Sequence, residues 1–166
     1  MRKLRLLDWD IENRPLAYLG PDYTTAEITA IAASWTGEPK TMRVWLLGRD
    51  PPQDMLRGVV ALYNAADMVT GHYILGHDLP VLSGALLEHG LPPLGPKMAS
   101  DTKVHLTAHK YLSASQENLC ETLGVAAVKV HMGNAQWREA NRLTEKGLAL
   151  THKRVVGDVL QHMKLR

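Results

Sequence analysis

The chain has 166 residues, 45% of them hydrophobic, and a formal net charge of +2 at pH 7 with histidine neutral. This length and apolar content are typical of a single globular domain, and we predict one domain spanning residues 1–166. The small net charge excludes a protein that coats nucleic acid through bulk positive charge. A single cysteine, Cys120, excludes an internal disulfide framework and a multi-cysteine zinc site.

The sequence contains no segment that we predict to enter a membrane. No run of about 18 apolar residues is present, which a transmembrane helix would require. The first ten residues, MRKLRLLDWD, have a basic start, but Asp8 interrupts their apolar run. This pattern argues against a secretory signal, so we expect a cytoplasmic protein.

Three acids alternate within the first predicted strand, residues 3–12, in the stretch LLDWDIENRPL. Because successive side chains of a strand point to opposite faces, Asp8, Asp10 and Glu12 share one face. A solvated edge strand is one interpretation, since edge strands often carry charge. A cation site is the other, because three like charges repel each other unless an ion lies among them. Mg²⁺ prefers such carboxylate oxygens.

The following segments predict a sheet covered by helices. AEITAIAASWTG and TMRVWLLG predict antiparallel strands joined by short turns. PPQDMLRGVVALYNAA has helical spacing with proline at its start, DMVTG is a short strand, and HDLPVLSGALLEHG is a helix. The second half is predicted to be helical, with ENLCETLG, NAQWREANRL and LTHKRVVGDVLQHMKL as its helices. Strands followed by packing helices predict a layered α/β fold.

Two further acids lie where a phosphoryl-transfer site would need them. Asp78 falls in the first turn of a predicted helix, where the helix dipole also favours an acid for structural reasons. Asp158 lies four residues after Arg154, and a simple surface salt bridge would explain that pair. Together with Asp10 and Glu12, however, these acids suit a site for two divalent ions about 3.5–4 Å apart, which clamp the attacking and leaving oxygens.

Four segments, in this order, resemble the motifs of DnaQ-like 3′–5′ exonucleases of the DEDD group, in the ribonuclease H-like superfamily. The small bacteriophage members are the most similar. WDIENRPLAY resembles the first motif and supplies Asp10 and Glu12, and ADMVTGHYILGHDLPVL resembles the second and supplies Asp78. SDTKVHL resembles the Asp-Thr segment that follows, and RVVGDVLQH resembles the third motif and supplies Asp158. The resemblance covers nearly the whole chain and implies a ribonuclease H-like mixed β-sheet flanked by α-helices.

The resemblance also implies an activity and a set of metal ligands. The activity is metal-dependent hydrolysis of terminal phosphodiesters, DNA favoured, to nucleoside 5′-monophosphates with two ions of Mg²⁺ or Mn²⁺. Asp10, Glu12 and Asp158 would hold the ion that carries the attacking water. Asp10 would bridge to the second ion, and Asp78 would support the pair.

Three more residues are expected to contact the substrate, which would be a single-stranded or frayed 3′ end. Asn13 follows Glu12 and is placed to touch the terminal nucleotide, and His72 lies in the loop before Asp78. Tyr73 stands where the family often has Asn, and it either stacks on a base or anchors the loop. Proofreading would require a separate polymerase or another replication protein as partner.

The third motif departs from the family pattern at the general base. The family has Tyr four residues, or His five residues, before the last Asp, and here those positions are Arg154 and Lys153. His152 is six residues before Asp158, about 600° around a regular helix, so it would reach the site only from a loop or a distorted turn. Three possibilities stay open: His152 is the base, Arg154 stabilises charge on the phosphate, or no side chain serves as base.

This departure leaves a second function open, namely a catalytically weak or inactive exonuclease-fold module that binds nucleic acid or a replication partner. Two acids lie outside the four-acid set. Asp8 is expected to support the ligands or to hydrogen-bond at the sheet edge, and Asp101 is expected to cap a helix or turn.

Overall fold

The structure is a computed structural model that describes residues 4–16, 25–107, 111–126 and 129–166. It contains one mixed five-stranded sheet with the strand order β3-β2-β1-β4-β5. The strands are β1 (Leu6–Leu16), β2 (Thr25–Trp35), β3 (Arg43–Leu46), β4 (Met68–Gly71) and β5 (Met98–Asp101). The helices are α1 (Pro52–Ala65), α2 (Asp78–Glu88), α3 (Thr102–Thr107), α4 (Gln116–Thr122), α5 (Asn134–Ala140) and α6 (Glu145–Leu165).

Strand β1 lies at the centre of the sheet. It pairs antiparallel with β2 on one side and parallel with β4 on the other, and β5 continues the parallel half. The interpretation of the first acidic stretch as a solvated edge strand is therefore wrong. Strand β5 was not predicted, because four residues are too few to show a hydrophobic period.

The sheet has two differently packed faces. On one face, Leu7, Trp9 and Ile11 of β1 are at most 2% exposed and join the core formed with α1 and α2. On the other face, Ala30 and Ala32 of β2 pack with apolar residues of α6. The alternation along β1 thus directs its apolar residues toward α1 and α2 and its acids toward α6.

The loop between β4 and α2 is tightly packed where it positions Asp78. Gly71 ends β4, and a Cβ added there would lie 2.9 Å from the Trp9 carbonyl oxygen and collide with the Ile74 side chain. Only glycine fits such a close approach between two backbones. The loop then leads directly into α2, whose first residue is Asp78.

Asp101 holds this loop and the start of α3 together. Its carboxylate accepts hydrogen bonds from the backbone N–H groups of Tyr73 (2.9 Å) and Leu75 (3.0 Å). It also accepts from the N–H groups of Lys103 (2.9 Å) and Val104 (3.2 Å). These bonds stabilise Tyr73 in the left-handed region, at φ +75°. The predicted capping role of Asp101 is therefore confirmed.

Within the described ranges, none of the helices combines the length and the apolar character needed to cross a membrane.

Candidate metal centre

One face of β1 and one face of α6 meet in a row of polar pairs, which we term the acid ladder. Residues two apart on a strand rise about 6.6 Å and residues four apart on a helix rise about 6 Å, so the two series stay nearly in step. The pairs of the ladder are Asp8 with His162, Asp10 with Asp158, and Glu12 with Arg154.

Three carboxylates of the ladder form a compact cluster. Asp10, Glu12 and Asp158 each offer an oxygen, and these oxygens all lie within 4.8 Å of one another. They line a cleft that also contains Asp78. The other residues that line the cleft are Ile11, His72, Tyr73, His77, Lys103, Ser115, Gln116, Lys129 and Arg154. The four acids predicted from separate motifs are thus brought together in one place.

Asp78 supports the cluster through the backbone of β1. Its Oδ1 accepts a hydrogen bond of 2.8 Å from the N–H of Ile11, the residue between Asp10 and Glu12. Its Oδ2 lies 3.6 Å from Nδ1 of His77. Because the Asp78 side chain is buried, this bond fixes the position of the two acids that flank Ile11.

Arg154 projects into the cluster from one turn of α6 before Asp158. Its Nε lies 2.8 Å from Oδ2 of Asp158 and 3.2 Å from Oε1 of Glu12. Its Nη1 donates a hydrogen bond of 2.8 Å to the carbonyl of Val130. The salt bridge between Arg154 and Asp158 that the sequence spacing predicted is therefore present, but it lies inside the site rather than on a free helix surface.

Lys129 is a second cation at the cluster, and sequence reasoning missed it. Its Nζ lies 3.1 Å from Oδ1 of Asp158 and 3.3 Å from Oε1 of Gln116. Lys129 comes from an irregular segment, where no helical or strand period indicates which way a side chain points. A lone base within the apolar stretch VKVHM was the one available signal.

The cluster carries more negative charge than its surroundings stabilise. Burial raises the pKa of Asp10 well above its usual range, and the charges of Asp78, Asp158 and Glu12 raise it further. Burial and the charge of Asp158 raise the pKa of Glu12 to about 7, against the opposing effect of Arg154. Burial also raises the pKa of Asp158, although Lys129 and Arg154 lower it. A divalent cation would favour the ionised form of all these groups.

The donor set fits a divalent cation. Its donors are carboxylate oxygens, which Mg²⁺ and Mn²⁺ prefer. Oδ1 of Asp158 is buried within the cluster and faces the Lys129 ammonium at 3.1 Å. Asp10 is half-buried, and no described side chain or backbone group pairs with its carboxylate. Asp10, Glu12 and Asp158 can therefore hold a metal ion, with Asp78 beside them.

Two of the predicted substrate residues lie in the cleft wall. His72 Nδ1 is 2.9 Å from Oγ1 of Thr102, and burial lowers the pKa of His72 to about 4, so its ring is neutral at pH 7. The ring of Tyr73 lies between Gly76 and the ammonium of Lys103, which is 3.5 Å from the ring centroid. These contacts favour the loop-anchor interpretation, although the residue remains 43% exposed.

The other predicted residues lie farther from the cluster. Asn13 Oδ1 is 2.9 Å from Nε2 of His77, a residue that does line the cleft. His152 is exposed, sits within the regular α6, and does not line the cleft. The loop or distorted turn that would bring His152 to Asp158 is absent from the described α6, so its role as base stays a prediction without geometric support.

Asp8 belongs to the packing of α6 and not to the cluster. It is 0% exposed and accepts a hydrogen bond of 2.6 Å from Oγ1 of Thr36. Nε2 of His162 lies 3.2 Å away, and Nε of Arg166 lies 3.4 Å away. The expectation that Asp8 supports the metal ligands is not met, because its partners surround it at one end of the acid ladder, which we term the closed end. Asp10 and Glu12 line the cleft and form the open end.

Comparison with known proteins gave a structural match only. No protein-family model and no curated protein matches the chain. The fold is similar to part of a family B DNA polymerase from the hyperthermophilic archaeon Pyrobaculum calidifontis, with a TM-score of 0.74 and 18% sequence identity. The match covers 99% of this chain and 24% of the polymerase, so this chain spans about a quarter of that protein's length. The likeness confirms the predicted α/β fold, a mixed β-sheet flanked by α-helices.

Proposed function

We propose that the chain is a metal-dependent 3′–5′ exonuclease of the DEDD group. It removes nucleotides from single-stranded or frayed 3′ ends, with DNA as the favoured substrate, and yields nucleoside 5′-monophosphates. The observation that carries this proposal is the convergence of Asp10, Glu12 and Asp158 within 4.8 Å, beside Asp78, from elements far apart in the chain.

The chain supplies ligands and positive charge around one open cleft. Asp10, Glu12 and Asp158 would hold a divalent ion, Mg²⁺ or Mn²⁺, which when bound would supply a nucleophilic water at neutral pH and positive charge beside the phosphate. The family resemblance implies two such ions, held by Asp10, Glu12 and Asp158 with support from Asp78. Arg154 and Lys103 line the same cleft, and their charges attract the phosphates of a strand end.

The proposal includes a replication protein as partner. The similar structure joins this fold to a DNA polymerase within one chain. A polymerase or another replication protein would deliver frayed 3′ ends to the cleft described above. Of the substrate contacts, His72 and Tyr73 have side chains in the cleft wall, whereas Asn13 would act through His77.

A second candidate function is a catalytically silent module that binds nucleic acid. The observation that favours it is the pairing of Arg154 with Glu12 and Asp158, and of Lys129 with Asp158. These cations neutralise part of the cluster without any metal. In this alternative they would keep the site folded after catalysis has been lost.

One assay separates the two candidates. A 5′-labelled single-stranded DNA oligonucleotide is incubated with the protein and Mn²⁺ or Mg²⁺, and the products are resolved by length. The exonuclease shortens the oligonucleotide stepwise from its 3′ end, and EDTA stops the reaction. Asp10→Asn should abolish the shortening, whereas Asp54→Asn should not, because Asp54 is an exposed acid of α1 outside the cleft.

The matched RNA oligonucleotide measures the preference for DNA. Binding of the same oligonucleotides is followed by fluorescence anisotropy in parallel. A wild-type protein that binds the oligonucleotide but leaves it intact with either metal would replace the exonuclease proposal with the binding module.

A further inference from the structure

Arg154 is a built-in cation of the cluster. Its side chain is 14% exposed and contacts two carboxylates, with Nε 2.8 Å from Asp158 and 3.2 Å from Glu12. A hydrogen bond of 2.8 Å to the carbonyl of Val130 holds the other end of the guanidinium. Charge-assisted contacts of this kind are strong and directional, so Arg154 is held in place from three sides.

Lys129 is a second built-in cation on the opposite side of Asp158. Its side chain is 17% exposed, and its Nζ lies 3.1 Å from Oδ1 of Asp158. Oε1 of Gln116, a buried residue of α4, lies 3.3 Å from the same ammonium. Each of the two carboxylate oxygens of Asp158 therefore faces a cationic side chain.

The remaining negative charge is concentrated at Asp10. Its carboxylate lies within 4.8 Å of ligand oxygens of Glu12 and Asp158, and no described cation forms a contact ion pair with it; Lys129 acts on it only at longer range. The four carboxylates of the cleft carry four negative charges when ionised, and the two built-in cations leave two. His77, 3.6 Å from Asp78, offsets one more only when its ring is protonated. One divalent ion supplies that charge. A second one would lie beside two fixed positive charges where solvent screening is weak.

Resting on the proposed function, we infer that the cluster binds one divalent ion, at Asp10. Arg154 and Lys129 take the place that the second ion occupies in a two-ion site. The positive charge that a second ion would bring to the phosphate comes instead from the guanidinium and the ammonium. Arg154 stands where other members of the family have Tyr. On this inference, Arg154 is a functional part of the site.

The test counts bound ions directly. Metal-free protein is titrated with Mn²⁺ by isothermal calorimetry, and free Mn²⁺ is measured in parallel by electron paramagnetic resonance. The wild type should bind one Mn²⁺ per chain. The double variant Lys129→Met/Arg154→Met, which keeps unbranched, flexible side chains but removes both charges, should bind two. Lys129→Arg keeps the charge and should keep the count at one.

A matched control is available in the same cleft. Lys103 lines the cleft but contacts the Tyr73 ring and no carboxylate of the cluster, so Lys103→Met should leave the count at one. Circular dichroism verifies that each variant is folded. The wild-type count decides the inference even if the double variant does not fold.

Failure of this inference differs from failure of the proposed function. Two Mn²⁺ ions per wild-type chain, with oligonucleotide cleavage, would overturn the inference and leave the exonuclease intact. One Mn²⁺ ion without cleavage would support the inference and overturn the exonuclease. No bound Mn²⁺ would overturn both.

Discussion

The two ends of the acid ladder place the same kind of residue in opposite situations. At the closed end, Asp8 is 0% exposed and contacts Thr36, His162 and Arg166. At the open end, Asp10 is half-buried, has no described cation partner, and has a pKa well above its usual range because it is buried near other acids. An acid enclosed by a hydroxyl group and two basic side chains stabilises the packing of a helix, whereas an acid without a contact ion pair remains available for a cation.

The largest effect is expected from removing the charge of Asp10. Asp10→Asn should lower the rate of oligonucleotide shortening by about 10³-fold or more, because ion binding contributes several kcal/mol to the transition state. The melting temperature in metal-free buffer should not fall, since the substitution relieves repulsion among the carboxylates. Steady-state cleavage and thermal melting check this, and a large drop in melting temperature would make Asp10 a structural acid.

At the closed end, we expect a substitution to lower stability and to leave activity nearly unchanged. Asp8→Ala leaves His162 and Arg166 without their buried partner, which should destabilise the protein by roughly 3 kcal/mol. For a chain of this size the melting temperature should fall by roughly 6–12 °C. Cleavage measured well below that temperature should stay within a few-fold of wild type. An Asp8 variant that has a normal melting temperature but does not cleave the oligonucleotide would show that Asp8 serves activity, as Asp10 does.

The open end should also make the metal-free protein sensitive to pH. The pKa of Glu12 is about 7 in the folded protein and near 4.5 when unfolded, so the folded state binds the extra proton between these values. Stability in EDTA should therefore be highest below about pH 4.5 for this group and fall by roughly 3 kcal/mol as the pH rises through 7.

Urea unfolding at several pH values measures this dependence. Glu12→Gln should flatten the profile, and added Mn²⁺ should stabilise the protein more at pH 8 than at pH 5.5, because the ion needs ionised carboxylates. A wild-type profile in EDTA that the Glu12→Gln substitution leaves unchanged would contradict the assigned pKa.

The smallest effect is expected from His152, which lies on α6 but off the ladder. His152→Gln should leave the cleavage rate within about two-fold of wild type across pH 6 to 9, whereas a true general base contributes about 10² to 10⁴-fold. The pH–rate profile is the measurement. A loss of the order of 10²-fold would show that α6 distorts when substrate binds.

Local patterns in the sequence account for some of these features and not for others. Alternation along β1 predicted that Asp8, Asp10 and Glu12 share a face, and the four-residue spacing predicted the pair of Arg154 and Asp158. Neither pattern distinguishes the closed end from the open end. That difference depends on how α6 lies against β1, which is a tertiary contact between segments more than 130 residues apart.

Lys129 and β5 are two further features that local sequence patterns do not predict. Lys129 reaches Asp158 from an irregular segment, so no period indicates its direction. Strand β5 is four residues long and is stabilised by pairing with β4 rather than by its own pattern. The family motifs predicted that the four acids converge, and the spacing within the third motif predicted Arg154, but Lys129 falls outside the motif segments.

The different rise of a strand and a helix limits how many residue pairs the acid ladder can contain. A strand advances about 6.6–6.8 Å per two residues and a helix about 6 Å per four, so each added pair shifts the partners by about 0.7 Å. Three pairs are separated by two such steps, so their offset is about 1.4 Å, and a fourth pair would raise it to about 2 Å, comparable to the difference between a good contact and none. One strand and one helix can thus keep only a few side chains in phase. An additional carboxylate has to come from elsewhere in the fold, as Asp78 does from α2.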